Sequence, residues 1–111
     1  MIISYDDFSK VDVRIGTVLS AAPNPGARKP AYVLEIEFGP EIGRRKASAQ
    51  VTELYTPEEL VGLQVAAVVN FPPKRVAKTV SEVLVLGASD AAGRVALLKV
   101  DHPVPNGARM F

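Results

Sequence analysis

The segment YTPEELVG, residues 55–62, holds both the start and the stop of one short helix. Thr56 can cap it, Pro57 suits the first helical position, Glu59 completes a capping box, and Gly62 can end it. The flanking segments have a different period. AYVLEIEFG alternates, with Tyr32, Leu34, Ile36 and Phe38 toward a core and Val33, Glu35 and Glu37 facing out. RRKASAQVT returns as the second arm of a hairpin after the GPEIG turn. LQVAAVVNF, after the helix, reads as a strand buried on both faces. A single small helix set between alternating segments restricts the chain to few architectures.

The remaining segments narrow the choice. Ser4 can cap a short N-terminal helix over SYDDFSKV, with Asp6 and Asp7 at the positive end of its dipole. VDVRIGTVLSA has strand period, which predicts Val11, Val13, Ile15, Thr17 and Leu19 on one face and a bulge or bend at Gly16. PNPGARKP is a loop, and NFPPKRVAKTVSE reads as a second, longer exposed loop. EVLVLGAS and RVALLKV flank SDAAG as a hairpin, and DHPVPNGARMF is a turn-rich tail. The expected fold is all-β with short helices. It is a five-stranded OB-fold Greek-key barrel with a small helix between strands three and four, one domain over residues 1–111.

Composition excludes several functional classes. With 111 residues and a 48% hydrophobic fraction, the chain can bury a real core. It has no cysteine, so disulfides and thiolate metal sites are out. The one histidine, His102, lies beside a proline near the tail, a poor setting for a triad or a zinc site. GARKP lacks the Gly-Lys-Ser/Thr ending of a phosphate loop. No enzyme, metal or cofactor is expected. There is no signal-like start and no stretch of membrane-spanning length, so the expectation is a cytoplasmic protein with no membrane insertion.

Charge is informative through placement. The net charge is only +1. In an OB-fold, oligonucleotides cross strands two and three, between the loops joining strands one to two and four to five. Those loops carry Arg28, Lys29, Lys74, Arg75 and Lys78 with no acid between Lys74 and Glu82, and Arg44, Arg45 and Lys46 open the third strand. Eight of the thirteen cations therefore fall where this fold would place a polyanion. Asn70 and Ser81 bracket the second loop, where they can either hydrogen-bond a nucleotide or close the loop on its own backbone. Phe71 is expected in the core at a strand end rather than as a stacking platform, and Tyr5 is expected to pack. Glu35 and Glu37 are expected to form a polar strand face paired with cations of strand three. The aliphatic excess in VAAVV, EVLVLG and RVALLKV suggests a face against a second copy, and a groove at that seam suited to an extended peptide.

NFPPKRVAKTVSEVLVLGA, VDVRIGTV and VPNGARM resemble the tRNA-binding domain family over nearly the whole chain. Asn70, Phe71, Pro73, Lys74, Arg75, Ser81 and Glu82 occupy the family's motif positions, while Leu84 stands where the wider family often has Met. ARKPAYVLEIEFGPEIGRRKASAQVTELYTPEELVG is similar to the stand-alone CsaA type within it. The resemblance implies a non-enzymatic homodimer that binds tRNA through Arg28, Lys29, Arg44, Arg45, Lys46, Asn70, Lys74, Arg75, Lys78 and Ser81. It also implies a chaperone role in protein export, through unfolded or precursor polypeptides. The alternative is an export chaperone that binds polypeptide alone, with no physiological RNA ligand.

Overall fold

The structure is a computed structural model describing residues 1–111. Five strands form one antiparallel sheet in the order β3-β2-β1-β4-β7: β1 (Val13–Pro23), β2 (Tyr32–Glu37), β3 (Arg44–Ala49), β4 (Gln64–Val68) and β7 (Leu84–Val85). The sheet curls into the OB-fold barrel, with helix α3 (Pro57–Leu60) between β3 and β4. Closure runs from β3 to the chain just before β7. The Glu82 amide donates to the Lys46 carbonyl at 2.7 Å, and the amides of Lys46 and Ser48 donate to the side chains of Glu82 and Ser81.

The helix forms as its punctuation predicts. Thr56 Oγ1 accepts the Glu59 amide and Glu59 Oε1 accepts the Thr56 amide, so two end donors are satisfied reciprocally. Leu60 from this turn is fully buried in the barrel. Past it, the Gly62 amide donates to Val18 and the Val18 amide to Leu63, which ties the helix exit to β1. Helix α1 (Tyr5–Ser9) carries the same reciprocal cap between Ser4 and Asp7.

β2 alternates as read, with Leu34, Ile36 and Phe38 fully buried. β1 departs from the expected face. Val13 and Ile15 pack with Ala66 and Val68 in a second cluster outside the barrel, while Val18 points into the main core. Val11 and Leu19 are exposed, and Thr17 turns its hydroxyl to Asn106 Oδ1 at 2.7 Å. One strand pairs with β4 over Val13–Thr17 and with β2 over Thr17–Pro23, so its residues face two cores in turn. The register shift lies between Val18 and Ser20, not at Gly16. Gly16 answers a different need: a β-carbon there would sit 2.7 Å from Ile36 and Phe38 side-chain carbons.

The tail does more than turn. Gly107 and Met110 donate to the carbonyls of Ile15 and Val13, and Ile15 donates back to Ala108. This segment therefore extends the sheet beyond the end of β2. The Arg14 guanidinium clamps it, reaching Asp12 at 2.6 Å, Glu41 of α2 (Gly39–Ile42) at 2.7 Å and the Gly107 carbonyl at 3.0 Å. Hydrogen bonds to Asp12 first, then Glu41, hold its pKa above the usual value. Arg109 adds a longer contact to Asp12 at 3.5 Å.

Two hairpins complete the fold. β8 (Gly87–Ser89) and β9 (Val95–Leu97) pair around Asp90, as the SDAAG turn predicts. The second is unexpected. The long basic segment is itself a β-hairpin, β5 (Lys74–Val76) against β6 (Thr79–Ser81), closed by Ala77 and Lys78. Ala77 has φ 55°, a conformation where glycine is ordinarily favoured. No helix is long and apolar enough to cross a membrane.

Candidate nucleic-acid interface

The loop after β1 meets the β5–β6 hairpin directly. Asn24, only 7% exposed, donates from Nδ2 to Ser48 Oγ at 3.0 Å and to the Val76 carbonyl at 3.4 Å. Thr79 Oγ1 lies 3.5 Å from Asn24 Oδ1. One amide thus holds β3 and both strands of the hairpin to the root of the first loop. Further out the two turns come close, since a β-carbon on Gly26 would stand 3.8 Å from the Ala77 methyl. Two loops fifty residues apart in sequence become neighbours on the barrel rim.

Arg28, Lys29, Lys74, Arg75 and Lys78 are all exposed there. None lies within ion-pair distance of a carboxylate; the ion pairs form among other residues. Their charges are therefore open to a ligand rather than neutralised within the chain. The third cluster divides. Arg44 is 3.5 Å from both Glu35 and Glu37, the cross-strand pairing expected for those acids. Arg45 is half-buried, with Nη1 donating to the Arg44 carbonyl. Lys46 is exposed and unpaired, so it joins the loop cations.

Asn70 and Ser81 bond backbone groups outside the loop itself. Asn70 accepts from the Asp12 amide at 3.0 Å and donates to the Lys10 carbonyl at 2.7 Å, pinning the N-terminal segment to the end of β4. Ser81 accepts from the Ser48 amide and donates to the Val83 carbonyl. The residue that joins the two loops is Asn24, which sequence reasoning missed. Its signal was slight: one amide side chain between Pro23 and Pro25, in a stretch rich in turn formers.

Beside the hairpin lies an apolar groove of about 730 Å³. Val51, Val76, Leu84 and Val95 line it, with Phe71 and Lys74 among the residues at its edge. Phe71 is 50% exposed, so its expected place in the core is overturned: Pro72 and Pro73 carry the chain out of β4 before the ring can turn inward. Leu84 is equally exposed, and Tyr5, although exposed, packs its ring against Phe8 with centroids 6.4 Å apart. His102 is exposed beside Asp101, and the structure has no group of three or more metal-binding side chains.

The model of the tRNA binding domain family matches residues 13–109. The chain belongs to this family. It is similar to the solved structure of chaperone CsaA from Bacillus anthracis, at 50% identity and TM-score 0.93 with both chains fully covered. The CsaA chaperone from Picrophilus torridus superposes with TM-score 0.92 at 46% identity, covering 99% of this chain and all of that one. The methionine–tRNA ligase of Pyrococcus abyssi is 36% identical over 99% of this chain. The chain spans only about 15% of the length of the first curated relatives it matches, which are methionine–tRNA ligases. The likeness to those enzymes therefore concerns one domain of each.

Proposed function

We propose that this chain is a non-enzymatic tRNA-binding protein of the CsaA type. The observation that carries the reading is the run of unpaired cations from two touching loops, Arg28, Lys29, Lys74, Arg75 and Lys78, continued by Lys46 on β3. A phosphate backbone laid along this rim gains charge at each step without breaking an ion pair. Arg44 contributes less, because its guanidinium already faces two carboxylates. Asn70 and Ser81 keep the loop and the chain ends in place, and their remaining lone pairs add little to RNA contact. Titration of tRNA at low salt tests the reading. Binding in the micromolar range, weakened by salt, is expected, and no binding at low salt overturns it.

A second reading concerns polypeptide. The groove beside the hairpin is lined mostly by apolar residues, Phe71 and Leu84 among them and both half-exposed. An extended, unfolded segment with alternate apolar side chains fits such a channel. The similarity to proteins named as chaperones supports this reading. In it the chain works in the cytoplasm on precursor polypeptides bound for export. Leu84→Glu should abolish binding of an unfolded polypeptide and leave tRNA binding intact; retained polypeptide binding places that ligand elsewhere.

Both readings are made for a homodimer. Ile2, Ile3, Tyr5 and Phe111 are exposed at the two chain ends, and Arg109 Nη2 donates to the Ser9 carbonyl, which holds those ends together. A second copy covering them would double the cationic rim. Sedimentation equilibrium of the protein decides it, and a mass of 11.9 kDa at all concentrations would refute the dimer.

A further inference from the structure

Glu82 stands among the free cations, and no ion pair explains it. Its carboxylate lies within ion-pair distance of no Lys or Arg, although Lys46 and Lys78 border the same notch. That notch, about 470 Å³, opens on the outer face of β2 and β3 beside the hairpin. Val33, Pro73 and Val80 give it apolar walls. Glu82 is held firmly at its edge. Its amide donates to the Lys46 carbonyl at 2.7 Å, and its Oε1 accepts the Lys46 amide at 3.0 Å. Oε2 accepts no bond from the chain, so the carboxylate presents unused lone pairs at a fixed position.

We propose that this notch receives one unstacked base of a bound RNA, and that Glu82 makes it selective for guanine. The inference rests on the RNA-binding reading above. An ionised carboxylate only accepts hydrogen bonds. Among the four RNA bases, guanine alone offers two adjacent donors on its pairing edge, N1–H and the N2 amino group. Adenine and cytosine each place a ring-nitrogen acceptor next to their single amino group, and that lone pair faces the carboxylate unfavourably. Uracil offers one N–H between two carbonyls. The aliphatic walls hold the base faces, and Lys46 and Lys78 stand where the flanking phosphates pass. The loop cations then give affinity without sequence preference, and Glu82 adds the preference.

The test uses uracil octamers carrying one central guanosine, inosine or adenosine, titrated into the wild-type protein by fluorescence anisotropy. The guanosine octamer should bind roughly tenfold tighter than the adenosine one. Inosine lacks the N2 amino group and should lose most of that advantage. Glu82→Gln keeps an oxygen for the Lys46 amide but removes a negative charge and the paired acceptor. It should bind the adenosine octamer more tightly while the guanosine preference falls to about one. A residue with only a structural role would shift all octamers together. Equal binding of guanosine and adenosine octamers by the wild type, or an undiminished preference in Glu82→Gln, overturns the inference and leaves the basic rim standing. Failure of every octamer and of tRNA to bind removes the RNA reading, and this inference with it.

Discussion

Asn24, at the root of the first basic loop, donates to the carbonyl of Val76 in the hairpin that carries the second, 3.4 Å away. The same amide bonds Ser48 of β3. Asn24→Ala strands these half-buried partners and should lower stability by about 1–3 kcal/mol. It should also weaken RNA binding severalfold without removing any charge, because the two loops lose their common anchor. Thermal melting and RNA titration of the same sample check both effects. Unchanged RNA affinity would mean that the loops need no tie.

Gly16 packs its backbone against Ile36 and Phe38, with side-chain carbons 2.7 Å from where a methyl would go. Gly16→Ala forces these fully buried side chains to shift and should cost about 1–3 kcal/mol. Denaturant unfolding measures the loss. A neutral outcome would contradict the close packing of β1 on β2.

Much of this architecture is legible in the sequence because local signals agree there. Thr56, Pro57 and Glu59 fix α3 through backbone chemistry confined to one turn, and the Leu34, Ile36 and Phe38 alternation marks a strand with one buried face. β1 was only partly legible. Its apolar residues divide between two cores, so no single face describes it, and Gly16 is small for packing rather than for a bend. The β5–β6 hairpin was hidden because its strands are three residues long, follow two prolines and carry cations. The loop cations were readable by fold position, and the pairing of Arg44 with Glu35 and Glu37 by strand register. The roles of Asn24, Asn70 and Ser81 depend on partners 24 to 60 residues away, which periodicity does not record.

Asp90 organises the β8–β9 turn. Its Oδ1 accepts the amides of Ala92 and Arg94, and its Oδ2 meets Arg94 Nε at 2.8 Å. The Arg94 backbone bond above all holds its pKa below the usual 3.8, with the Arg94 side chain and the Ala92 and Gly93 amides adding to it. Because the folded value is depressed, the carboxylate's contribution is complete above the unfolded value and disappears as pH falls through the lower folded one. The Arg94 amide resonance should therefore shift with a midpoint below 3.8, and Asp90→Asn should abolish that transition. A midpoint at or above 3.8 would contradict the turn geometry.

The most direct test of the shared cationic rim is the salt dependence of single-stranded RNA binding. Six phosphate contacts from Arg28, Lys29, Lys46, Lys74, Arg75 and Lys78 predict a log–log slope of roughly −4.2. Lys74→Ala/Arg75→Ala/Lys78→Ala should reduce it to about −2.1, and Arg28→Ala/Lys29→Ala to about −2.8. Both loops must register for the account to hold. A slope that responds to one loop and ignores the other, or to neither, would contradict a single polyanion site built from the two.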